Sequence, residues 1–103
     1  MSFPVFRGSN ILASPQTVSV ATTSSSTVNV SYTPLGAGSL YIYITLPTGV
    51  TASVTIGGQS VPLTSGSNRF LIPTGVPIGN ITINNAGATA ASVTVWALFT
   101  EVV

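Results

Sequence analysis

The ionisable residue types that carry acid–base and metal chemistry, and that activate a hydroxyl nucleophile, are almost absent from this chain. Only three of its 103 residues are charged, and there is no His, Cys, Lys or Asp. General acid–base catalysis needs a titrating group beside a partner, and a serine nucleophile needs a base. Glycosidases of the usual kind need two carboxylates, and metal sites need His, Cys or carboxylate ligands. We therefore expect no enzyme activity, no catalytic residue, no metal and no cofactor.

The three charged residues are Arg7, Arg69 and Glu101. They could form an ion pair between subunits that sets the register of an assembly. They could equally be three solvated surface charges, which contribute little to stability even when two of them pair. The second interpretation is the one that the sequence favours, because exposed ion pairs are common and weak.

Three aromatic residues form a second candidate set. Tyr41 and Tyr43 are two positions apart in an alternating segment, so they lie on one face of a strand. Such a pair, with nearby Asn and Ser donors, could bind a sugar ring. Packing against another sheet or a neighbouring subunit is the alternative that we favour for these tyrosines and for Trp96, because aromatic side chains in strands commonly stabilise cross-strand pairs.

The overall composition excludes several further classes. An apolar fraction of 45% is too high for a disordered polymer, and two arginines cannot provide the basic surface that nucleic acids require. No segment reaches the roughly 18 apolar residues of a membrane helix. At the start of the chain, Pro4 and Arg7 interrupt the apolar run that a signal peptide would need. We expect partners other than nucleic acid or membrane.

Apolar and polar residues alternate with a period of two along most of the chain, which predicts β-strands. Examples are Leu40–Leu46 and the closing segment, where Val93, Val95, Ala97 and Phe99 face one way. The Gly57-Gly58 pair between two alternating segments predicts a tight hairpin. The run of Ser and Thr at 21–27 is expected to be a loop, with an O-glycosylated tract as the less favoured alternative.

About eight short strands spaced by roughly 8–12 residues indicate an all-β protein, namely an antiparallel two-sheet sandwich. The outline is jelly-roll or immunoglobulin-like, and the alternation does not decide between them. We expect an extended N-terminal arm at 1–15 and a sandwich domain at 16–103. A β-rich surface with so few charges lacks the usual protection against edge pairing, so association with partners is expected.

The arm (Met1–Pro15), the V-T-I-G-G-Q-S-V-P-L hairpin and the S-V-T-V-W-A-L-F strand resemble small all-β structural proteins of virions. These are capsid cement or decoration proteins and small jelly-roll coat proteins of phages and other viruses. The resemblance implies a virion location and a homo-oligomer, often a trimer, that contacts the major capsid protein or other virion proteins and stabilises the shell. The residues expected at the interface are Phe3, Val5, Phe6 and Arg7 in the arm and Trp96 and Phe99 in the closing strand.

An alternative function belongs to a different class. The chain could be an extracellular or cell-surface protein, such as an adhesin, a pilus-like fibre subunit or a carbohydrate-binding module. A fibre subunit would donate the arm to the sheet edge of the next subunit. A carbohydrate-binding module would use Tyr41 and Tyr43 as its ligand platform.

Overall fold

The computed structural model describes residues 6–102, and it describes side chains from residue 10 to residue 101. Within this range the chain forms strands and turns and no helix, which confirms the prediction of an all-β fold with eight strands. No helix of the length and hydrophobicity needed to cross a membrane therefore occurs in the described part. The strands are β1 (Phe6–Val20), β2 (Ser24–Val28), β3 (Gly38–Ile44), β4 (Val50–Ile56), β5 (Gln59–Leu63), β6 (Gly66–Ile72), β7 (Ile78–Asn85) and β8 (Ala91–Val102).

The strands form two antiparallel sheets of four strands each. Sheet A has the order β1-β8-β3-β6, and sheet B has the order β2-β7-β4-β5. The pairs are nested along the chain, from β4 with β5 outward to β1 with β8. This arrangement is a jelly roll, in which one long hairpin is wound into a sandwich. It excludes the immunoglobulin outline, in which the first strand pairs with the second.

The core lies between the two sheets and is built by the alternation that the sequence shows. In β3 the side chains of Leu40, Ile42 and Ile44 are fully buried, whereas Tyr41 and Tyr43 point to the other side of the sheet. Burial of such side chains contributes roughly 1.5–3 kcal/mol each. The remaining fully buried apolar side chains are Val20, Val30, Val54, Ile81, Ile83, Val93, Val95, Ala97 and Phe99.

The turn between β4 and β5 has the geometry expected of a Gly-Gly hairpin. The φ angles of Gly57 and Gly58 are 57° and 80°, and β4 pairs with β5 in continuous register from Ala52↔Leu63 to Ile56↔Gln59. A two-residue turn with positive φ at both positions matches the twist of the flanking strands. The predicted hairpin is therefore confirmed.

Two segments expected to be loops are partly strand. Residues 24–27 of the Ser/Thr run, together with Val28, form β2, which pairs with β7 from Ser24↔Asn85 to Val28↔Ile81. Only Thr22 and Thr23 make the turn, where Thr23 has a φ of 52°. The Ser65-Gly66-Ser67-Asn68 segment has the residue types of a turn, but β6 already begins at Gly66. In both cases backbone pairing with a distant strand outweighs the weak β-propensity of serine and glycine.

The N-terminal segment belongs to sheet A from Phe6 onward. β1 pairs with β8 from Phe6↔Val102 to Val20↔Ala91, with register shifts near Ala13 and before Gln16. The boundary expected between residues 15 and 16 therefore falls inside a strand, since the long β8 offers hydrogen-bonding groups to the whole segment. Residues 1–5 lie outside the described part of the chain.

Candidate functional site: an apolar face and a buried carboxylate

The outer side of sheet A carries a cluster of large apolar and aromatic side chains. We call it the apolar face; it consists of Ile11, Tyr41, Tyr43, Leu71, Trp96 and Leu98. Paired residues on neighbouring strands point to the same side of a sheet. Ile11 pairs with Leu98, and Leu98 pairs with Tyr41 on its other side. Trp96 pairs with Tyr43 in the next outward-facing row. The apolar face therefore spans the sheet.

Much of the apolar face is open to solvent. Leu71 is 83% exposed, Ile11 67% and Tyr43 36%. Among the described side chains, the only other large hydrophobic residue with comparable exposure is Leu35, which lies in the loop between β2 and β3. Single exposed apolar residues are ordinary, but a contiguous group of them marks an interaction surface.

The aromatic rings of the apolar face pack edge to face. The ring centroids of Tyr41 and Trp96 are 5.5 Å apart, and their planes meet at 71°. The hydroxyl of Tyr41 lies 3.0 Å from Oγ of Ser67. This packing agrees with the cross-strand interpretation of Tyr41 and Trp96. Tyr41 and Tyr43 do share one side of β3, as predicted, but Tyr41 is held by Trp96 in an edge-to-face pair.

A groove of about 420 Å³ crosses the middle of the apolar face. It combines aromatic and aliphatic walls with the hydroxyl groups of Ser39 and Thr100 and one guanidinium group. The guanidinium belongs to Arg69, which is exposed and lies directly opposite Tyr41 in the pairing of β3 with β6. The residues that line this groove are Ser39, Tyr41, Arg69, Trp96, Leu98 and Thr100.

A second groove, also of about 420 Å³, continues the apolar face towards the edge of sheet A. It shares Ser39 and Thr100 with the first groove, and Leu71 and Pro73 form its apolar wall. Gly38 is also among the lining residues, and a Cβ atom on it would overlap the carbonyl oxygen of Thr100. A glycine at this position allows β3 and β8 to approach closely.

The outer side of sheet B has the opposite character, and we call it the polar face. Its described side chains are hydroxyl and amide groups, with one proline at the edge strand. Ser25 Oγ donates a hydrogen bond to Asn84 Oδ1 at 3.0 Å across the β2–β7 pair. The polar face consists of Ser25, Thr27, Thr51, Ser53, Thr55, Ser60, Pro62, Thr82 and Asn84.

Glu101 is fully buried on the inner side of sheet A and is surrounded by hydrogen-bond donors. Oε2 accepts hydrogen bonds from the Tyr32 hydroxyl at 2.6 Å and from Asn10 Nδ2 at 2.8 Å. Oε1 accepts from the backbone N–H groups of Leu35 at 3.1 Å and Gly36 at 3.3 Å. The carboxylate thus joins β1, β8 and the loop that precedes β3.

These contacts favour the ionised carboxylate. The hydrogen bond from Tyr32 is the largest influence and lowers the pKa of Glu101 below its ordinary value of 4.5. Burial raises the pKa, whereas the hydrogen bonds from Asn10 and from the two backbone N–H groups lower it further. The expectation that Glu101 is a solvated surface charge is therefore wrong, because four donors compensate the loss of water.

The other predicted site residues are distributed differently from the expectation. Phe99 is 0% exposed and packs against Tyr32 in the core, with ring centroids 5.7 Å apart, so it has no surface to offer a partner. Trp96 lies on the apolar face. Phe3 and Val5 lie outside the described residues, and the side chains of Phe6 and Arg7 are also outside the description.

Sequence reasoning missed several residues of both sites. Nothing in the sequence connects Asn10 and Tyr32 with Glu101, because contacts over 91 and 69 positions arise only from the topology. The alternation does place Glu101 on the same side of β8 as Phe99, two positions earlier, but it does not show that this side faces the core. The strand order alone places Ile11 and Leu71 in the apolar face and Arg69 beside it.

Comparison with known proteins finds no matching family and no matching curated protein. Solved structures do show similarity in fold. A periplasmic inhibitor of g-type lysozyme, PliG from Aeromonas hydrophila, is 11% identical with a TM-score of 0.53, covering 93% of this chain and 87% of that one. At this identity the likeness concerns the fold alone, and it agrees with the β-sandwich described above.

Two further structures are similar over most of the chain with lower scores. The C-terminal domain of A223, a structural protein from Sulfolobus turreted icosahedral virus, is 20% identical with a TM-score of 0.48. This match covers 90% of the present chain and 96% of that domain. A de novo designed double-stranded β-helix is 21% identical with a TM-score of 0.44, covering 86% of this chain and 100% of the design. These two matches carry no inference about function.

Proposed function

We propose that this chain is a non-enzymatic structural protein of a virus particle that attaches to the shell through its apolar face. The observation that supports the proposal is the difference between the two outer sides of the sandwich. One side presents Trp, Tyr, Leu and Ile side chains together with Arg69, and the other presents only the hydroxyl, amide and proline groups of the polar face. Proteins that stay monomeric in water rarely expose a contiguous apolar patch on one side of the fold.

The fold and the composition support the rest of the proposal. Jelly rolls are a common architecture of viral coat domains. The inventory of ionisable groups supports the proposed lack of enzymatic activity, since the single acidic side chain is buried and its oxygens already accept hydrogen bonds. Many copies that bridge neighbouring shell subunits would stabilise the shell by mass action and by avidity.

The proposal is tested by fractionating virus particles from the organism that encodes the chain. Wild-type protein should sediment with the particles, whereas the double variant Ile11→Ser and Leu98→Ser should stay in the soluble fraction. The matched control is Thr82→Ala on the polar face, which should remain bound. Circular dichroism must show that all three proteins are folded.

Two outcomes would contradict the proposal. One is a wild-type chain that never sediments with particles. The other is a double variant that is folded and still sediments fully.

The predicted homo-oligomer needs its own experiment. Light scattering on the purified chain over a range of concentrations tests it directly. A closed oligomer would support the expected trimer, whereas a stable monomer would contradict it.

Carbohydrate binding is the second candidate function, because the groove that contains Trp96 and Tyr41 also presents the hydroxyls of Ser39 and Thr100. Sugar sites combine aromatic walls with a few polar groups in this way. Titration with a panel of neutral and acidic oligosaccharides, followed by tryptophan fluorescence, tests it. A saturable change that Trp96→Ala abolishes would favour this function over shell attachment.

A further inference from the structure

Arg69 is the one described cation, and it lies on β6, the edge strand of sheet A, at one end of the middle row of the apolar face. This row runs across sheet A from Ile11 through Leu98 and Tyr41 to Arg69. Arg69 also lines the central groove beside Trp96. A partner that fills this groove must therefore remove water from a guanidinium group as well as from apolar side chains.

Burying a charge without a partner is strongly unfavourable, so the covering surface must provide an acceptor for Arg69. A carboxylate is the best acceptor, because it matches the guanidinium with two parallel hydrogen bonds. The chain itself has one acidic side chain, Glu101, which is fully buried on the inner side of the same sheet. A second copy would therefore bring another arginine and no accessible acidic side chain.

The composition and size of the surface indicate the class of the partner. Tyrosine, tryptophan and arginine are the residues most enriched at the energetic centres of protein interfaces. The four strands of sheet A span about 14 Å across the sheet. Along the strand direction, the distance from Thr100 to Trp96 on β8 is about 13 Å. This area of roughly 200 Å² is a fraction of the roughly 800 Å² per partner of a typical interface. It corresponds to an interface centre, and hydroxyl groups such as those of Ser39, Ser67 and Thr100 surround it.

We propose that the partner on the apolar face is a different protein, which presents an Asp or Glu side chain to Arg69 among apolar contacts. The inference rests on the proposed function and specifies it: the apolar face is a hetero-interface, and any self-association uses other surfaces. A second copy of the chain and an acidic sugar are the alternatives that the experiment must separate.

The experiment uses Arg69→Lys in assembled particles. The chain contains no lysine, so this substitution introduces the only side-chain amine. A carbodiimide then joins that amine to any carboxylate in contact with it, and mass spectrometry of the digest identifies both ends of the new amide. The matched control is Thr82→Lys on the polar face, treated in the same way.

Coupling of the introduced amine to an Asp or Glu of another particle protein, with none for the control, is the expected result. Coupling to a second copy of this chain or to a glycan would overturn the inference, and so would the absence of any coupling in particles that contain the variant. These results differ from failure of the proposed function, in which the wild-type chain is missing from the particles altogether.

Affinity provides an independent measurement. Arg69→Glu should weaken binding to particles by roughly 30-fold or more, because it places like charges together in a desolvated contact. The concentration dependence of the molecular mass of the purified chain should be the same for Arg69→Glu and wild type. A change in self-association with no change in particle binding would show that the apolar face contacts another copy, and would overturn the inference.

Discussion

At the scale of single residues, Glu101 shows how a charge can be retained inside a small β-sandwich. Its two oxygens accept hydrogen bonds from Tyr32, Asn10 and two backbone N–H groups, so the ionised form is satisfied without water. Removing one partner of such a cluster lowers stability more than replacing the whole cluster with apolar groups, because the remaining polar groups stay buried and unpaired. The carboxylate is thus a structural element that holds the loop before β3 against β1 and β8.

The pKa of Glu101 predicts how stability depends on pH. Because the folded pKa is lower than the unfolded value near 4.5, the carboxylate contributes stability that is fully present above about pH 4.5. This contribution is lost as the pH falls through the folded pKa. Urea unfolding at a series of pH values should show a decrease in wild type that is absent in Glu101→Gln, which should be less stable at neutral pH.

The single acidic side chain makes this measurement clean, since no other Asp or Glu titrates in the same range. Tyr32→Phe is the matched variant, because it keeps the ring beside Phe99 and removes only the hydroxyl donor. Its acid transition should occur at higher pH than that of wild type. Identical pH profiles for wild type and Glu101→Gln would refute the structural role of the carboxylate.

Phe99 and Trp96 test the assignment of the two sides of β8. Phe99→Ala should lower the free energy of unfolding by about 3–5 kcal/mol, because it opens a cavity in the core. Trp96→Ala should lower the free energy of unfolding by clearly less than Phe99→Ala does, since Trp96 lies on the outer side of sheet A and is only partly buried. Chemical denaturation measures both, and equal losses would contradict the assignment.

At the scale of elements, β8 explains why the closing segment is apolar on both sides. It lies between β1 and β3 in the interior of sheet A, so both of its edges are paired. One side of β8 completes the core with Val93, Val95, Ala97 and Phe99. The other side contributes Trp96 and Leu98 to the apolar face. A strand of this type serves stability and association at the same time.

The β4–β5 turn provides a prediction at this scale. Gly58 has a φ of 80° and no atom within 4 Å of a built Cβ, so substitution there meets backbone strain and no steric clash. Gly58→Ala should destabilise the protein by about 1 kcal/mol, and Gly58→Asn by less, because asparagine tolerates left-handed backbone. Thermal unfolding measures the decrease in Tm for each of the two variants. A Gly58→Asn variant that is less stable than Gly58→Ala would be inconsistent with this turn geometry.

At the scale of the whole molecule, the nested pairing makes almost every stabilising contact long-range. Only β4 and β5 are neighbours in the chain and in a sheet, whereas Phe6 pairs with Val102 across nearly the full length. Closing such loops has an entropic cost that must be met before the contacts form, so all-β folds of this kind fold slowly, in milliseconds to seconds.

This topology predicts that the innermost pairs form before the outermost pairs. Val54 in β4 and Val93 in β8 are both fully buried valines, which makes them a matched pair. Val54→Ala should mainly slow folding, whereas Val93→Ala should mainly accelerate unfolding. Stopped-flow mixing with denaturant measures both rates. The reverse pattern would mean that the β1–β8 pair forms in the transition state.

Local features of the structure were predictable because they depend on neighbours in sequence. The inward residues of β3, the two sides of β8 and the Gly57-Gly58 turn all follow from a period of two and from the φ preferences of glycine. The Ser/Thr segment that forms β2 was not predictable in this way. Its strand is stabilised by pairing with β7, more than fifty positions later in the chain.

The sequence by itself determined the all-β class, the alternation within strands and the scarcity of groups for catalysis, because composition and local periodicity are sufficient for these. Only the tertiary structure decided the jelly-roll strand order, the burial of Glu101 and the position of Arg69 at the edge of the apolar face. In a strand that is apolar on both sides, apolar residues recur at every second position on each side. The alternation therefore does not show which side is buried. That choice depends on which distant strands pair with it and on which side the second sheet packs.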